Sequence, residues 1–164
     1  MSGIQSLLAI GAIWLFALVS INFNSSVVHN ISIEVENKVY LDAFSLADDM
    51  IEEIKQKSFE DTTGTWEYPK IEDDLQSILS EEGNNRDLFD DIDDYNGFIE
   101  VVGLPYVENF RRTVSVKFAN PNDFSDTTFT FKSYYKRVNV KVESIENYLT
   151  NPVHLSFIFA LHSR

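Results

Sequence analysis

The sequence predicts an α+β protein: one long N-terminal helix, with a membrane-spanning half and an amphipathic half, packed on a C-terminal antiparallel β-sheet. Three observations support this fold. An uncharged apolar run opens the chain, apolar side chains then recur at helical spacing, and alternating apolar and polar residues fill the last third. On this basis the 164 residues divide into a helical segment, 1–30, and an acidic domain, 31–164.

The first element is an apolar helix from Ile4 to Phe23. No charged side chain occurs before Glu34. A run of about 20 residues rises about 30 Å as a helix, which matches the hydrocarbon core of a bilayer. We therefore expect a retained membrane anchor, with a cleaved secretory signal and a buried soluble helix as the alternatives. Trp14 is expected to contact lipid, and Gly11 would allow a neighbouring helix to approach closely.

The second element continues this helix as an amphipathic one, to about Phe59. Its apolar side chains recur at steps of three and four residues, and acidic residues lie between them. An Asn- and Ser-rich stretch, Asn22 to Asn30, is where a kink or a short unwound piece is expected. The predicted apolar stripe consists of Val28, Ile31, Val35, Val39, Leu46, Met50 and Ile54, widened by Phe44, Ala47 and Ile51.

Short elements are predicted between this helix and the sheet. Trp66 to Pro69 is expected to be an extended connection, and Ile71 to Glu82 a short helix that ends at Gly83. Asp87 to Gly97 is then predicted to be an acidic loop. These elements connect the helix to the strands.

Alternation with a period of two predicts four or five strands with one apolar face. Turn residues at Pro121 to Asp123 and at Asn151 to Pro152 separate them. The apolar face is expected to cover the stripe on the long helix. The alternating residues are Val114, Val116 and Phe118, then Phe129 and Phe131, then Val138, Val140 and Val142, and finally Val153, Leu155, Phe157, Phe159 and Leu161.

Composition and the lack of known motifs exclude several classes of function. A net charge of −13 argues against nucleic acid and against a basic patch on anionic lipid. The lack of cysteine excludes disulfides and thiolate metal sites. His29, His154 and His162 are too dispersed to form a metal site, and no catalytic motif is recognisable. The protein is therefore predicted to act by assembly or binding, not as an enzyme.

The acidic loop is the candidate cation site. Asp90, Asp91, Asp93 and Asp94 supply the hard oxygen ligands that Ca²⁺ prefers. The EF-hand pattern fails, because Gly97 and Val102 do not match its glycine and glutamate positions. The sequence therefore leaves two interpretations open, a Ca²⁺ site and a solvated or capping loop. Phe89 and Tyr95 are expected to hold this loop on the sheet.

Three segments resemble the type IV pilin and pseudopilin family. AFSLADDMIEEIK, from Ala43 to Lys55, is similar to the helix end of minor pilins. FDDIDDYNG, from Phe89 to Gly97, resembles a loop of minor pilins related to the mannose-sensitive haemagglutinin pilus. YKRVNVKV, from Tyr135 to Val142, resembles one of their strands. The three segments occur in the order that the family shows.

The resemblance implies a structural subunit of a type IV pilus or a type II secretion-like filament. Cleavage after Gly3 would leave Ile4 as the mature N-terminus. Leu8 then stands where family members usually have Glu, which favours an accessory or tip subunit over a major one. The implied membrane and assembly surface of the helix comprises Ile4, Leu8, Gly11, Ile13, Trp14 and Leu18.

The implied partners are other pilin-like subunits or further copies of this chain, the inner membrane and an assembly platform. The domain would lie in the periplasm or outside the cell, and on a surface filament after assembly. No cofactor is implied except Ca²⁺ at the acidic loop. A stand-alone membrane-anchored binding module outside the cytoplasm is the alternative.

Overall fold

The computed structural model describes residues 3–59, 85–105, 109–146 and 148–161. The chain forms two compact units, Met1–Lys38 and Val39–Arg164. The functional boundary that the sequence predicts at residue 30 stays a prediction. The predicted connection at 66–69 and the predicted helix at 71–82 lie outside the described residues.

Helix α1 extends from Gly3 to Ile54, a length of 52 residues, or about 78 Å at 1.5 Å per residue. It contains no unwound piece between Asn22 and Asn30, contrary to the expectation for that stretch. The polar residues there each cost a helix only about 0.7 kcal/mol or less relative to alanine. Neither proline nor glycine occurs in this stretch to break the helix.

Helix α1 ends five residues earlier than Phe59, the end that the sequence predicted. After Ile54 the backbone turns and pairs with the acidic loop. The Ser58 amide donates to the Asp90 carbonyl at 3.2 Å, and the Ile92 amide donates to the Ser58 carbonyl at 3.0 Å. This pairing replaces the helical hydrogen bonds, and the sequence spacing gives no sign of it.

The sheet has four strands in sequential order, and each adjacent pair is antiparallel. The register aligns buried apolar residues across strands, for example Val116 with Val138 and Val142 with Val153. The predicted α+β fold, with a long helix packed on an antiparallel sheet, is confirmed. The strands are β1 (Ile99–Gly103), β2 (Asn109–Phe118), β3 (Tyr135–Ser144) and β4 (Val153–Ala160).

One predicted strand is wrong and one real strand was missed. Phe129 and Phe131 lie in an irregular connection between β2 and β3. Asp and Asn side chains there accept local backbone hydrogen bonds, such as Ser125 N to Asp123 Oδ1 at 2.9 Å and Thr128 N to Asp126 Oδ1 at 2.8 Å. Such local bonds compete with strand pairing. Strand β1 was missed because it is short.

The core lies between the second half of α1 and one face of the sheet. Ala43 and Ala47 are fully buried, and their small side chains let the helix lie close to the strands. The predicted stripe is buried from Val39 onward except at Phe44, which is exposed, whereas Val28, Ile31 and Val35 are more than half exposed. The buried helix residues are Val39, Ala43, Leu46, Ala47, Met50, Ile51 and Ile54, and the buried sheet residues include Val114, Val116, Val138, Val140, Val142 and Val153.

Candidate functional site

The first candidate site is the apolar surface of α1. Ile13 and Trp14 are each 67% exposed, and most of their apolar neighbours are similarly accessible. A side chain added at Gly11 would meet no atom within 4 Å. Ile4, Leu8 and Leu18 lie on the same exposed part of the helix. All six residues predicted for the assembly surface are therefore accessible in a single chain.

This surface is apolar on every side of the helix. Leaving one Leu, Ile or Phe side chain in water instead of burying it costs about 1.5–3 kcal/mol. By length and composition, α1 is long and apolar enough to cross a membrane. The predicted processing site lies at its start, where Gly3 is the first helical residue.

The second candidate site is the acidic loop. The Asp94 carboxylate accepts hydrogen bonds from the backbone amides of Asp90 at 2.9 Å and Asp91 at 3.1 Å. The Asp91 carboxylate accepts from the amides of Asp93 at 2.7 Å and Asp94 at 3.2 Å. These bonds stabilise the short 3₁₀ turn Asp93–Tyr95. The Asp91 and Asp94 carboxylates therefore hold the loop through hydrogen bonds from its own backbone amides.

Asp93 forms a buried ion pair. Its carboxylate lies 2.8 Å from the Lys136 ammonium group on β3, and the Lys136 side chain is fully buried. The same ammonium donates to the Phe59 carbonyl at 2.6 Å and lies 4.3 Å from the centre of the Phe59 ring. Asp90, in contrast, is exposed. The loop is thus held to the sheet by a charge pair.

These contacts bear on the predicted Ca²⁺ site without testing it. Within the described ranges, no group of three or more His, Cys, Asp or Glu side chains is placed to hold a metal ion. The buried carboxylates of Asp91, Asp93 and Asp94 already have partners in the chain. Calcium binding at Asp90, Asp91, Asp93 and Asp94 stays a prediction.

Aromatic rings hold the loop from inside. Phe89 and Tyr95 are buried, with ring centres 4.8 Å apart, and Phe98 lies 5.5 Å from Phe89. Both rings belong to the core that the loop shares with the sheet, and that they hold the loop on the sheet stays a prediction. Gly97 follows with a positive φ of 84°, a conformation that favours glycine. Its amide donates to the Val114 carbonyl at 3.0 Å, so the loop leads directly into the sheet.

A half-buried charge network, which the sequence analysis missed, connects helix, loop and sheet. Arg86 forms ion pairs with Glu53 and with Glu100, and Arg112 pairs with Glu100. The Tyr95 hydroxyl donates to Glu53 at 2.7 Å. These residues are far apart in sequence. The one available signal was Arg112, a charged residue at an inward-facing position of the β2 alternation.

The network changes the pKa values of Glu53 and Tyr95. The hydrogen bond from Arg86 lowers the pKa of Glu53, and the bond from Tyr95 acts in the same direction, while partial burial opposes both. Burial raises the pKa of Tyr95 well above its usual range, and the hydrogen bond to Glu53 adds to the effect. Glu53 is therefore an anion and Tyr95 a neutral donor at neutral pH.

His154 is exposed on β4 and His29 is exposed on α1, whereas His162 lies outside the described residues. That the protein is not an enzyme stays a prediction.

The fold and the exposed apolar surface define a class: an α+β protein with a helix long and apolar enough to cross a membrane. No protein-family model matches the chain, and comparisons with curated proteins and with solved structures also gave no match.

Proposed function

We propose that the protein is a pilin-like or pseudopilin-like structural subunit that acts by assembly through its N-terminal helix. The observation that carries this proposal is the fully accessible apolar surface of α1, which continues without a break into a helix half packed on a folded domain. A simple anchor needs only the apolar run. A filament subunit also needs that run to continue into its domain, and α1 includes residues of both.

The proposed mechanism exchanges one apolar environment for another. In the inner membrane, lipid covers the apolar surface around Ile13 and Trp14. In the filament, helices of other subunits cover the same surface. Because lipid chains are as apolar as Leu side chains, the transfer is balanced by packing and not by a gain in hydrophobic burial. Small residues such as Gly11 favour the close helix approach that the filament state needs.

Contacts among the three pilin-like segments support the proposal. The helix segment supplies Glu53, which accepts from Tyr95 of the loop segment at 2.7 Å. The loop segment also supplies Asp93, which pairs with Lys136 of the strand segment at 2.8 Å. Here the residues that carry the resemblance form one connected site.

The proposed partners are further copies of this chain or other pilin-like subunits, together with an assembly platform in the inner membrane. The domain would lie in the periplasm and, after assembly, on a surface filament. Leu8, where the family usually has Glu, favours an accessory or tip position. Processing after Gly3 would make Ile4 the first residue of the mature subunit.

Cysteine cross-linking in cells tests assembly against simple anchoring. The natural chain has no cysteine, so Ala9→Cys and Ala17→Cys each introduce a single thiol on the exposed apolar helix. Filament assembly predicts oxidant-dependent dimers and mixed adducts with partner subunits, and their loss when Ile13→Asp is added. Ser45→Cys, on the exposed side of the domain part of α1, is the matched control for random collision.

The same cross-linking experiment distinguishes filament assembly from a stand-alone membrane-anchored module. A stand-alone membrane-anchored module predicts that Ala9→Cys and Ala17→Cys give no more cross-linking than Ser45→Cys. Intact-mass measurement of the purified protein adds an independent readout. An N-terminus at Ile4 agrees with the proposed cleavage after Gly3, which a prepilin peptidase would carry out. An intact Met1 contradicts it.

A further inference from the structure

Strand β4 is an edge of the sheet and pairs with β3 on one side only. Just beyond its end, the Leu161 amide donates to the carbonyl of the opposite residue, Tyr134, at 2.9 Å. Bonded and non-bonded pairs alternate along an antiparallel ladder. The register of β3 and β4 therefore shows which residues of β4 point their backbone N–H and C=O groups away from β3. These residues are His154, Ser156, Ile158 and Ala160.

The outward backbone groups of β4 are open to a further strand. Within residues 3–59, 85–105, 109–146 and 148–161, no backbone hydrogen bond reaches the outer side of β4. His154, Ser156 and Ala160 are exposed, and Ile158 is half-buried. The edge is therefore a row of alternating donors and acceptors, and its spacing matches the backbone of another extended strand.

Strand β4 lacks the features that usually protect an edge from pairing. Proteins blunt such edges with charged side chains, proline, bulges or very short strands. The eight residues of β4 include no Lys, Arg, Asp, Glu or Pro, and they pair with β3 in an unbroken register. The opposite edge, β1, has five residues and carries Glu100, which pairs with Arg86 and Arg112. The two edges of the sheet are therefore built differently.

The hydrophobic core continues to this edge on the helix-facing side of β4. Leu155 and Phe159 are partly buried and pack against the core, whereas 38% of Phe157 between them is exposed. The ring centres of Phe157 and Phe159 are 4.9 Å apart. The Lys55 ammonium group lies 4.3 Å from the centre of the Phe157 ring. An added strand would therefore place apolar side chains against Phe157 and extend the core.

We propose that β4 binds an extended segment of a partner protein by strand addition, and that this segment alternates apolar with basic side chains. Its backbone would bond to the outward N–H and C=O groups, and its apolar side chains would cover Phe157. The basic side chains follow from the net charge of −13, because the field of an acidic chain attracts cations and repels anions. Lys55 and Lys141, which flank the edge, are already paired with Glu52 and Glu143.

Hydrogen exchange measured by nuclear magnetic resonance, on the ¹⁵N-labelled full chain in non-ionic detergent micelles, tests the proposal. The probe is an acetylated peptide of alternating valine and lysine, matched to β4 in length. It is expected to slow exchange of the outward amides, above all Ser156 and Ile158, in a saturable way. The amides of Leu155 and Phe157 already bond to β3 and should change little. The same peptide with glutamate in place of lysine is expected to bind about tenfold more weakly.

Ser156→Pro removes one outward N–H group, and the fold should tolerate it because that group makes no bond to β3. Peptide binding should weaken about tenfold or more, since a hydrogen bond is lost and the proline ring obstructs the added strand. Ile158→Lys places a cation at the same edge and should also weaken binding of the lysine peptide. Val101→Lys, at an exposed position of β1, is the matched control and should leave the affinity unchanged. The remaining amide signals report whether each variant folds.

Several results would overturn the proposal: no saturable slowing at the outward amides, unchanged affinity in Ser156→Pro and Ile158→Lys, equal loss in Val101→Lys, or equal binding of the glutamate peptide. Slow exchange of these amides without peptide, increasing with protein concentration, would show that a second copy occupies the edge and would also overturn it. None of these measurements depends on filament assembly, so their failure would leave the proposed function standing.

Discussion

Ile13 and Ile51 are the same residue type in the same helix, yet 67% of Ile13 is exposed and only 5% of Ile51. The sequence around each explains the difference. Around Ile13 every side of the helix is apolar, so a one-sided cover such as a sheet could not satisfy it. Around Ile51 acidic residues occupy one side of the helix, and the sheet covers the other. One helix therefore joins two segments that need different surroundings.

The largest expected effect comes from a charge in the domain part of the helix. Ile51→Asp places a carboxylate without a partner in the core, and should lower the free energy of unfolding by about 4 kcal/mol or more. Urea denaturation of the full chain in mild detergent, followed by near-ultraviolet circular dichroism, measures it. Leu41→Asp, at an exposed position of the same helix, should change stability by less than about 0.5 kcal/mol. Similar losses in both variants would contradict the one-sided burial of α1.

The second largest effect on stability is expected at the buried ion pair between Asp93 and Lys136, which holds the acidic loop on the sheet. Lys136→Met leaves Asp93 buried without its cation, and should destabilise the domain by about 3–5 kcal/mol. Adding Asp93→Asn removes the second charge, and more than half of that loss should be recovered. The same denaturation experiment measures both. Strictly additive losses in the double variant would show that the two groups do not stabilise each other.

A charge in the apolar part of the helix should act on membrane insertion, and so on assembly, but not on the stability of the domain. Ile13→Asp is expected to cost about 3 kcal/mol of insertion free energy near the centre of the span. Carbonate extraction of membranes should therefore release a large fraction of the variant, whereas Ile13→Leu should stay membrane-bound. Urea denaturation of the domain should be unchanged. A loss of domain stability in Ile13→Asp would contradict the separation of the two segments.

The smallest expected effect is the loss of the Glu53 charge from the half-buried network with Arg86. Glu53→Gln should lower the free energy of unfolding by about 1–2 kcal/mol at pH 7, between the values for exposed and buried pairs. Arg86 holds the pKa of Glu53 below its ordinary value of 4.5. Its contribution is therefore fully present above pH 4.5 and is lost as the pH falls through the lowered pKa.

Urea denaturation of wild type and Glu53→Gln between pH 7 and pH 3 checks this dependence, and the difference between them should shrink on acidification. Glu52→Gln is the matched control, because its ion pair with Lys55 is exposed and should contribute less than about 0.5 kcal/mol. A difference that does not vary with pH would show that the Glu53 charge plays no part.

Periodic patterns predicted most of the fold. Strands β2, β3 and β4 follow the alternation at Val114, Val138 and Val153, since each of these strands has one face buried in the core. The same rule failed at Phe129 and Phe131, because β2 already pairs directly with β3 and leaves no place for a strand between them. Local alternation carries no information on which strands become neighbours.

The sequence located the apolar surface of α1 but not the contacts of the acidic loop, for a related reason. The apolar surface around Ile13 depends on local composition, so the sequence was enough to locate it. The local hydrogen bonds of Asp91 and Asp94 and the pair between Asp93 and Lys136 depend on contacts that the loop makes when folded. Four aspartates close in sequence suggested a cation site, but spacing alone could not say that Lys136 lies beside one of them.

The sequence by itself determined that a long helix would be apolar on all sides at its start and on one side later, because helical periodicity is a local property of side chains. Only the tertiary structure decided where that helix ends, which strands meet, and how Glu53, Arg86, Glu100 and Arg112 come together. Those features depend on contacts between residues distant in the chain, whose energies have no counterpart in any single stretch of sequence.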